Sequence, residues 1–462
     1  MAGRAATLVM ALVSTVLLTR YFGVETYGDF TAALVYVGIF VVLFDLGTYT
    51  LLVRQLSQEL APAHELLAKA LVLRLALSLA VIGLAAPLPF LLYPDADREQ
   101  LRFAILIALP AVAFHAIATT IGALFQARLK LDRVAVAEVA SQVTLVSLVI
   151  ALVAADGSFY AIVAATVVGA AVNAAVMLLL ARRLVPLSLR VDVPYWRRLF
   201  LDSLPLGLAL VINVIYFRID ALLLSVLRES EDVGLYGIAW RFLETATPFA
   251  YFFVAALFPL VSAAAAEGNF DAIRDISRRA FEVLVLGAIF VIALIAPTAP
   301  GVVELVAGAD FDRAATPLRI VIVGAGLSFL NTYLAYLLIA IDRQRSFFWL
   351  SLATLVFNVV LNLALIPEYG YNAAASVATS SEALLFAGAL WLAHRHTGFA
   401  PTLGVPARAL AAGAAAFLAA FTLPGHVVLA LAAGTVVYLG GLFLLRVHEA
   451  IELRTLLAAP RE

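Results

Sequence analysis

The sequence predicts an all-α polytopic membrane protein of about fourteen transmembrane helices, and three observations predict it. Hydrophobic stretches about as long as a bilayer crossing recur some fourteen times along the 462 residues. The composition is 64% hydrophobic and only 13% charged, with a mean hydropathy of +1.04, a profile that a water-soluble fold lacks the polar surface to cover. The connecting loops alternate in positive charge, as loops on opposite sides of a membrane do. The spans are read as helices because open strands leave their backbone unsatisfied in hydrocarbon, and these continuous apolar runs lack the alternation of a transmembrane barrel.

Taken in order, Arg4 leads into a first span at Ala5–Thr19, short enough to resemble a secretory signal. No small-residue cleavage site follows its TRYFG end, so it is read as a retained helix. Phe30–Leu52 follows, carrying Asp45 in an FDLG stretch. Leu66–Leu92 and Leu101–Phe125 flank a turn with Asp95 and Asp97, and His115 sits mid-span in the second of them. Val134–Ala155 and Tyr160–Leu180 flank the turn that begins at Asp156. A basic connector, Ala181–Arg198, holds Pro186 and Pro194. Leu199–Leu227 and Leu235–Ala263 come next. The amphipathic stretch Asn269–Arg279 reads as a solvated connector whose basic face suits anionic headgroups. Phe281–Ala296 then precedes the longest external loop, about 20 residues near Pro297–Pro317. Leu318–Ile341, Phe347–Ile366, Tyr371–Ala393, Ala409–Leu423 and Val427–Leu445 complete the set.

This inventory leaves no room for a soluble catalytic domain. With zero Cys there is no disulfide and no thiolate metal site, and no metal or other cofactor is expected. The net charge of -1 gives no sign of a nucleic-acid partner. Placing the N-terminus in the cytoplasm puts about 22 basic residues inside, among them Arg54, Lys69, Arg74, Arg190, Arg198, Arg279, Arg454 and Arg461. About 6 fall outside: Arg20, Arg98, Arg102, Arg228, Arg313 and Arg319. An even number of helices and this imbalance together predict both termini inside, in a cytoplasmic (inner) membrane.

Two segments repeat. VETYGDFTAALVYVG (24–38) aligns with EDVGLYGIAWRFLE (231–244) when Tyr27-Gly28 is laid on Tyr236-Gly237, and DGSFYAIVAAT (156–166) aligns with YGYNAAASVAT (369–379). Similar offsets at equivalent places predict duplication of a six-helix unit. Six is even, so the halves share one orientation about a pseudo-twofold axis along the membrane normal, an arrangement of secondary transporters that bind substrate between lobes. The expected organisation is an N-lobe at 1–183, a connector at 184–198, a C-lobe at 199–396, and two further helices with a cytoplasmic tail at 397–462.

Ionisable residues inside spans are costly and mark function or mutual pairing. Arg218 and Asp220 fall roughly 6–9 Å below the outer face, and Arg241 and Glu244 roughly 9–13 Å below it on the next helix. The functional reading is a charged cluster lining a cavity, its guanidiniums free to fork onto phosphate oxygens. The structural reading is mutual neutralisation, or Arg218 snorkelling to the headgroups. Asp45 suits a coupling proton or cation, or pairing with a base on a neighbouring helix. His115 titrates near neutrality and suits a proton relay, although a lone His is more often a packing residue. Glu138 reads as a solvated or capping residue near the inner face. Asn213, Asn331, Asn358 and Asn362 read as inter-helix glue, or as hydrogen bonds for sugar hydroxyls.

The opening LLTRYFGVETYGDF and FDLGTYTLLVRQLSQE, the middle FRIDALLLSVLRESEDVGLYGIAWRFLE and the late FNVVLNLALIPEYGYNAAASVATSSEALL resemble, in order, bacterial and archaeal polysaccharide-biosynthesis membrane proteins. The resemblance covers both lobes and implies an O-antigen, lipopolysaccharide or exopolysaccharide flippase of the multidrug/oligosaccharidyl-lipid/polysaccharide exporter superfamily, with a MATE-like fold. Such a protein would move polyprenyl-pyrophosphate-linked oligosaccharide from the inner to the outer leaflet by alternating access. It would be coupled to H+, Na+ or the membrane potential and work beside glycosyltransferases and a polysaccharide polymerase. The matched positions are Arg20, Asp45, Arg54, Arg218, Asp220, Tyr236 and Glu382. The family usually has a leader before its first helix; here almost none precedes Ala5. A multidrug or cation antiporter of the same superfamily would want an acid-rich cavity, and a lipid II flippase is a further relative. A membrane glycosyltransferase or polymerase would need large external loops bearing catalytic acids, so the protein is expected not to be an enzyme.

Overall fold

Long apolar runs in this chain fold as helices because only an internally hydrogen-bonded backbone is tolerated in hydrocarbon, and the punctuation between runs decides where each helix ends. The computed structural model describes residues 2–186, 188–423 and 425–447, without the side chains of 2–6, 8 and 209. The Arg4 side chain, Arg454, Arg461 and the tail beyond 447 lie outside the described residues. The helices are α1 (Ala2–Asp45), α2 (Thr48–Ser57), α3 (Ala63–Ala85), α4 (Leu88–Leu92), α5 (Glu99–Ala108), α6 (Ala111–Ala127), α7 (Leu131–Ala154) and α8 (Phe159–Ala181). They continue with α9 (Val193–Leu227), α10 (Ser230–Ala266), α11 (Phe270–Ala307), α12 (Ala315–Ala340), α13 (Gln344–Thr397), α14 (Gly404–Phe421) and α15 (Val427–Leu444). No strand occurs among the described residues.

Among the described residues, twelve helical segments are long and apolar enough to cross a membrane. Two of them, Val9–Asp45 and Gln344–Thr397, are each a pair of crossings joined at a glycine: Gly23 at φ 69° and Gly370 at φ 56°. Only a residue without Cβ adopts these backbone angles cheaply, so the chain turns there with almost no loop. With each pair counted as two, the described residues contain the fourteen expected crossings. Gly370 also lies in the second repeated segment, aligned with Gly157 at the turn between α7 and α8.

Side-chain caps start several helices. Ser158 accepts from the Ala161 N–H, Asp192 from the Tyr195 N–H at 3.0 Å and Asn269 from the Ala272 N–H at 3.0 Å. The Asn269 cap overturns one expectation. Asn269–Arg279 is not a solvated connector but the first turns of α11, with Ile273 and Ser277 fully buried. The stretch from Pro297 to Pro317 is likewise not a loop. α11 runs through Pro297 and Pro300 to Ala307, and a short 3-10 helix, Ala309–Ala314, joins it to α12. A proline removes one backbone donor, and the apolar surroundings favour keeping the rest of the helix hydrogen-bonded.

The chain forms two compact units, Met1–Gly234 and Leu235–Glu462. The division lies beyond the expected connector, because α9 packs with the first six crossings. Within the first unit, Leu52, Leu67, Ala70, Ile121, Phe125, Ala174 and Met177 form the core. The connector docks on α2 and α3: Asp192 meets the Lys69 Nζ at 2.9 Å, the Trp196 indole donates to the Lys69 carbonyl at 2.9 Å, and the Tyr195 hydroxyl donates to Gln55 Oε1 at 2.9 Å. Within the second unit, Leu257, Ile273, Phe281, Tyr333, Leu334 and Phe399 form the core. α14 and α15 join it through Ala293, Ala412, Ala416 and Tyr438.

Candidate functional site

The first unit encloses a chamber of about 470 Å³. Its polar lining comes from seven helices: Asp45 from α1, Tyr49 from α2, Arg74 from α3, His115 and Thr119 from α6, Glu138 from α7 and Asn173 from α8. Arg218 from α9 completes it, and Val41, Val42, Ala118, Val134, Met177 and Val214 supply apolar wall.

The FDLG stretch builds the chamber's central pair. α1 ends at Asp45, Leu46 and Gly47 take positive φ, and α2 begins at Thr48. The reversal is compact because Gly47 faces Gly207 of α9: a Cβ on Gly207 would lie 2.2 Å from the Leu46 carbonyl oxygen. Asp45 is thereby held at the N-terminus of α2, where its Oδ1 accepts from the Tyr49 N–H at 3.3 Å, a position that favours a negative charge. Arg74 reaches it from α3. Its Nη1 donates to Asp45 Oδ1 and to Thr48 Oγ1, each at 2.5 Å, and its Nη2 donates to Thr119 Oγ1 at 2.8 Å. The guanidinium also lies 5.3 Å from the centre of the buried Phe44 ring. Arg74, expected among the inner-face charges, is thus 0% exposed and paired with Asp45. A buried ion pair of this kind persists only when its remaining donors are satisfied, which Thr48 and Thr119 accomplish except at Nε.

The other predicted residues scatter in kind. Arg218 lines the chamber, its guanidinium 3.4 Å from where a Cβ on Gly38 would stand, and Asp220, two residues on along α9, is buried. Arg241 and Glu244 belong to the second unit, where they pair with each other at 3.2 Å and both stay substantially exposed. His115 is exposed into the chamber it lines and packs edge-on to Phe44. Arg20, Arg54 and Asn213 are exposed and do not line the chamber. Glu138, expected to be solvated or capping, is half-buried and lines the chamber. Nothing in its local sequence signals this, because only the packing of α7 against α1 turns it inward.

Two further polar centres were invisible in the sequence as centres. In the first unit, Asp29 is buried and accepts from Ser230 Oγ at 2.5 Å and Gln100 Nε2 at 3.0 Å; Arg98 donates to Ser230 Oγ and the Arg228 carbonyl. These bonds accompany a close helix approach in which a Cβ on Gly28 would lie 1.7 Å from the Ser230 carbonyl oxygen, and one on Gly234 would lie 2.4 Å from that of Val24. Close by, the Tyr93 hydroxyl pairs with Ser225 Oγ at 2.8 Å, and burial pushes the phenol up to about 12. In the second unit, Asn331 donates to the Glu382 carbonyl and carboxylate at 2.9 and 2.8 Å, Asn358 donates to Ser381 Oγ, and Asn362 donates to Asn358 Oδ1. These are buried amides joining α12 to α13 and the two halves of α13. No group of three or more His, Cys, Asp or Glu fit to hold a metal occurs among the described residues.

Comparison with solved structures gives the class of this fold. The fold is similar over 96% of this chain and 98% of the other to "Lipid II flippase MurJ, inward closed conformation" (TM-score 0.81, 14% identity). It is similar over 84% and 94% to the inward-facing conformation of a multidrug resistance MATE family transporter of the MOP superfamily (TM-score 0.67, 16% identity). A third likeness, over 85% and 92%, is to a MOP superfamily transporter from Pyrococcus furiosus (TM-score 0.62, 15% identity). The fold is therefore that of the MOP exporters. At the level of sequence families, residues 1–265 match the family described as polysaccharide biosynthesis protein, and residues 205–364 match the family described as MatE. The chain belongs to the polysaccharide biosynthesis protein family. A search of curated protein sequences gave no significant match. The solved structures that share the fold are named as a flippase and as transporters.

Proposed function

We propose that this protein is a flippase carrying polyprenyl-pyrophosphate-linked oligosaccharide from the cytoplasmic to the outer leaflet for cell-surface polysaccharide biosynthesis. It works by alternating access in the inner membrane, with both termini in the cytoplasm. The observation that carries this reading is the chamber of a polysaccharide-biosynthesis family member. Its charges are balanced, Asp45 and Glu138 against Arg74 and Arg218, so it suits neither a bare cation nor a bare polyanion. A lipid-linked glycan presents an anionic pyrophosphate beside neutral, hydroxyl-rich sugars. Leaving either unpaired in hydrocarbon is prohibitive, whereas the polyprenyl tail stays in lipid throughout.

Arg218, Arg241, Asp220, Glu244, Asn213, Arg20 and Arg54 are the proposed contacts to the headgroup, with guanidiniums taking phosphate oxygens. Asp45 and His115 are the proposed carriers of a coupling H+ or Na+. Protonating Asp45 would release Arg74 and loosen α2 and α3 together. A polysaccharide polymerase and glycosyltransferases are the expected neighbours.

Deleting the gene in its native cell tests the reading. The expected result is loss of surface polysaccharide with polyprenyl-pyrophosphate glycan building up in the inner leaflet, restored by the intact gene. An accumulation of lipid II would assign the protein to that lipid instead. Unchanged surface glycan with heightened sensitivity to cationic drugs would favour an antiporter.

A further inference from the structure

At one end of the second unit, the turn between α12 and α13 and the far end of α13 come together. The two halves of α13 pack against each other on either side of Gly370: Gly388 meets Leu350, where a Cβ would lie 2.4 Å from Leu350 Cδ1. Counting about 1.5 Å per residue from that contact puts Arg345 roughly 7 Å and Arg395 roughly 10 Å further toward the same end. Arg343, in the turn, and Arg395 both lie near enough for their charges to act on His396. Arg343, Arg345 and Arg395 are exposed, and none of them makes an ion pair among the described residues. The opening of α11 lies at this end too, since Arg274 donates to the Thr397 carbonyl at 3.1 Å, yet there every arginine is answered by an acid. Arg274 pairs with Asp271, Arg278 with Glu282 and Arg279 with Asp275. The α12–α13 turn offers one carboxylate, Asp342, to three guanidiniums. Like charges gathered in this way repel, so the arrangement favours an anionic partner. The apolar surface beside it says which kind. Trp349 and Trp391 stand between the Gly388–Leu350 contact and the arginines, 58% and 57% exposed, and the Arg395 guanidinium lies 5.3 Å from the centre of the Trp391 ring. Exposed indoles at this level mark a membrane–water interface. Further along α13, exposed Val356 and Leu384 continue the apolar surface. A free phosphate would use only the guanidiniums, whereas a phospholipid uses the guanidiniums, the indoles and the apolar flank together.

We propose that this end of the second unit is a docking site for an anionic phospholipid, its phosphate held by Arg343, Arg345 and Arg395 and its acyl chains lying against Trp349, Trp391 and the apolar flank of α13. The lipid ties the α12–α13 turn to the far end of α13 by neutralising the charge that both carry. The distribution of Lys and Arg places the site in the cytoplasmic leaflet. It serves the protein whatever the cargo, so it stands apart from the flippase reading.

Native mass spectrometry of the full-length protein in detergent, titrated with dioleoylphosphatidylglycerol or dioleoylphosphatidylcholine, tests the site. The wild type is expected to bind the first phosphatidylglycerol about tenfold more tightly than phosphatidylcholine. The triple variant Arg343→Gln, Arg345→Gln, Arg395→Gln is expected to lose that preference, and lysine at the same three positions to restore most of it. A control, Arg128→Gln, Arg182→Gln, Arg183→Gln, removes the same charge from exposed positions of the first unit and is expected to keep the preference. Equal wild-type affinity for the two lipids overturns the proposal. So does a preference that survives the triple variant, which places the lipid elsewhere, or an equal loss in the control, which reduces the effect to net charge. Displacement of phosphatidylglycerol by millimolar inorganic phosphate assigns the guanidiniums to a soluble anion and also overturns it. If the triple variant fails to fold, Arg345→Gln alone decides: about threefold weaker phosphatidylglycerol binding supports the site, and unchanged binding overturns it.

Discussion

Arg74 is the residue whose environment decides most about the first unit. Its guanidinium has been taken wholly out of water and is held by a carboxylate and two hydroxyls. Removing one member strands the other charge, at a cost of about 3–5 kcal/mol. Arg74→Ala and Asp45→Ala should therefore each lower the thermal unfolding midpoint in detergent markedly. The double variant with Asp45→Asn and Arg74→Gln should recover part of the loss, because an uncharged pair avoids the desolvation penalty. Asp45 was legible in the sequence as a charge beside a Leu-Gly break. Its partner was not: Arg74 is 29 residues away and near enough to the inner end of its span to be grouped with loop charges. Arg218 was legible too, as an arginine in an apolar run. Arg218→Ala should depress transport of pyrophosphate-linked glycan about tenfold or more, the worth of a charged hydrogen bond, with expression unchanged. Transport at the wild-type rate would reduce Arg218 to a structural role.

At the scale of elements, the connector and the helix crossings carry the testable content. Lys69 hydrogen-bonds Asp192 and, with the Tyr195 N–H, holds its carboxyl below the usual carboxylate range. A carboxylate depressed in the folded state contributes stability above its unfolded value of about 3.9 and loses it as pH falls through the folded value. Proteolytic nicking of the 184–198 connector should thus stay constant through neutral pH and rise only in acid below pH 4. The variant Asp192→Asn should show the raised nicking already at neutral pH and converge with the wild type in acid. The crossing at Gly28 and Gly234 leaves no room for even a methyl group. Gly28→Val should force these helices apart, breaking the Asp29–Ser230 contact and raising accessibility of a cysteine introduced at Ser230. The number and order of spans were readable because each is a long apolar run closed by a cap, a glycine or a proline. Helix ends were not, because hydropathy sees Asp271, Arg274, Asp275, Arg278 and Arg279 as a loop. The Asn269 cap and the buried face of Ile273 and Ser277 make that stretch helical.

Across the molecule, the distribution of Lys and Arg predicts the sidedness, and site-directed labelling tests it. A cysteine at Arg190 should react only from the cytoplasmic face and one at Asp156 only from outside. The class of the protein was readable because hydrophobic length is a one-dimensional signal. The chamber was not, because Asp45, Arg74, His115, Glu138, Asn173 and Arg218 are distributed over six helices and meet only after packing. In the function proposed, this helical shell moves a glycan-bearing pyrophosphate lipid between leaflets. The most direct measurement reconstitutes the purified protein in vesicles containing undecaprenyl-pyrophosphate-linked oligosaccharide and follows cleavage of the glycan by an external glycosidase. Wild-type vesicles should progress toward complete cleavage, Arg218→Ala vesicles should do so about tenfold more slowly, and protein-free vesicles should stop at the outer-leaflet share. Cleavage that halts at that share with the wild-type protein, under every imposed ion gradient, would contradict the account.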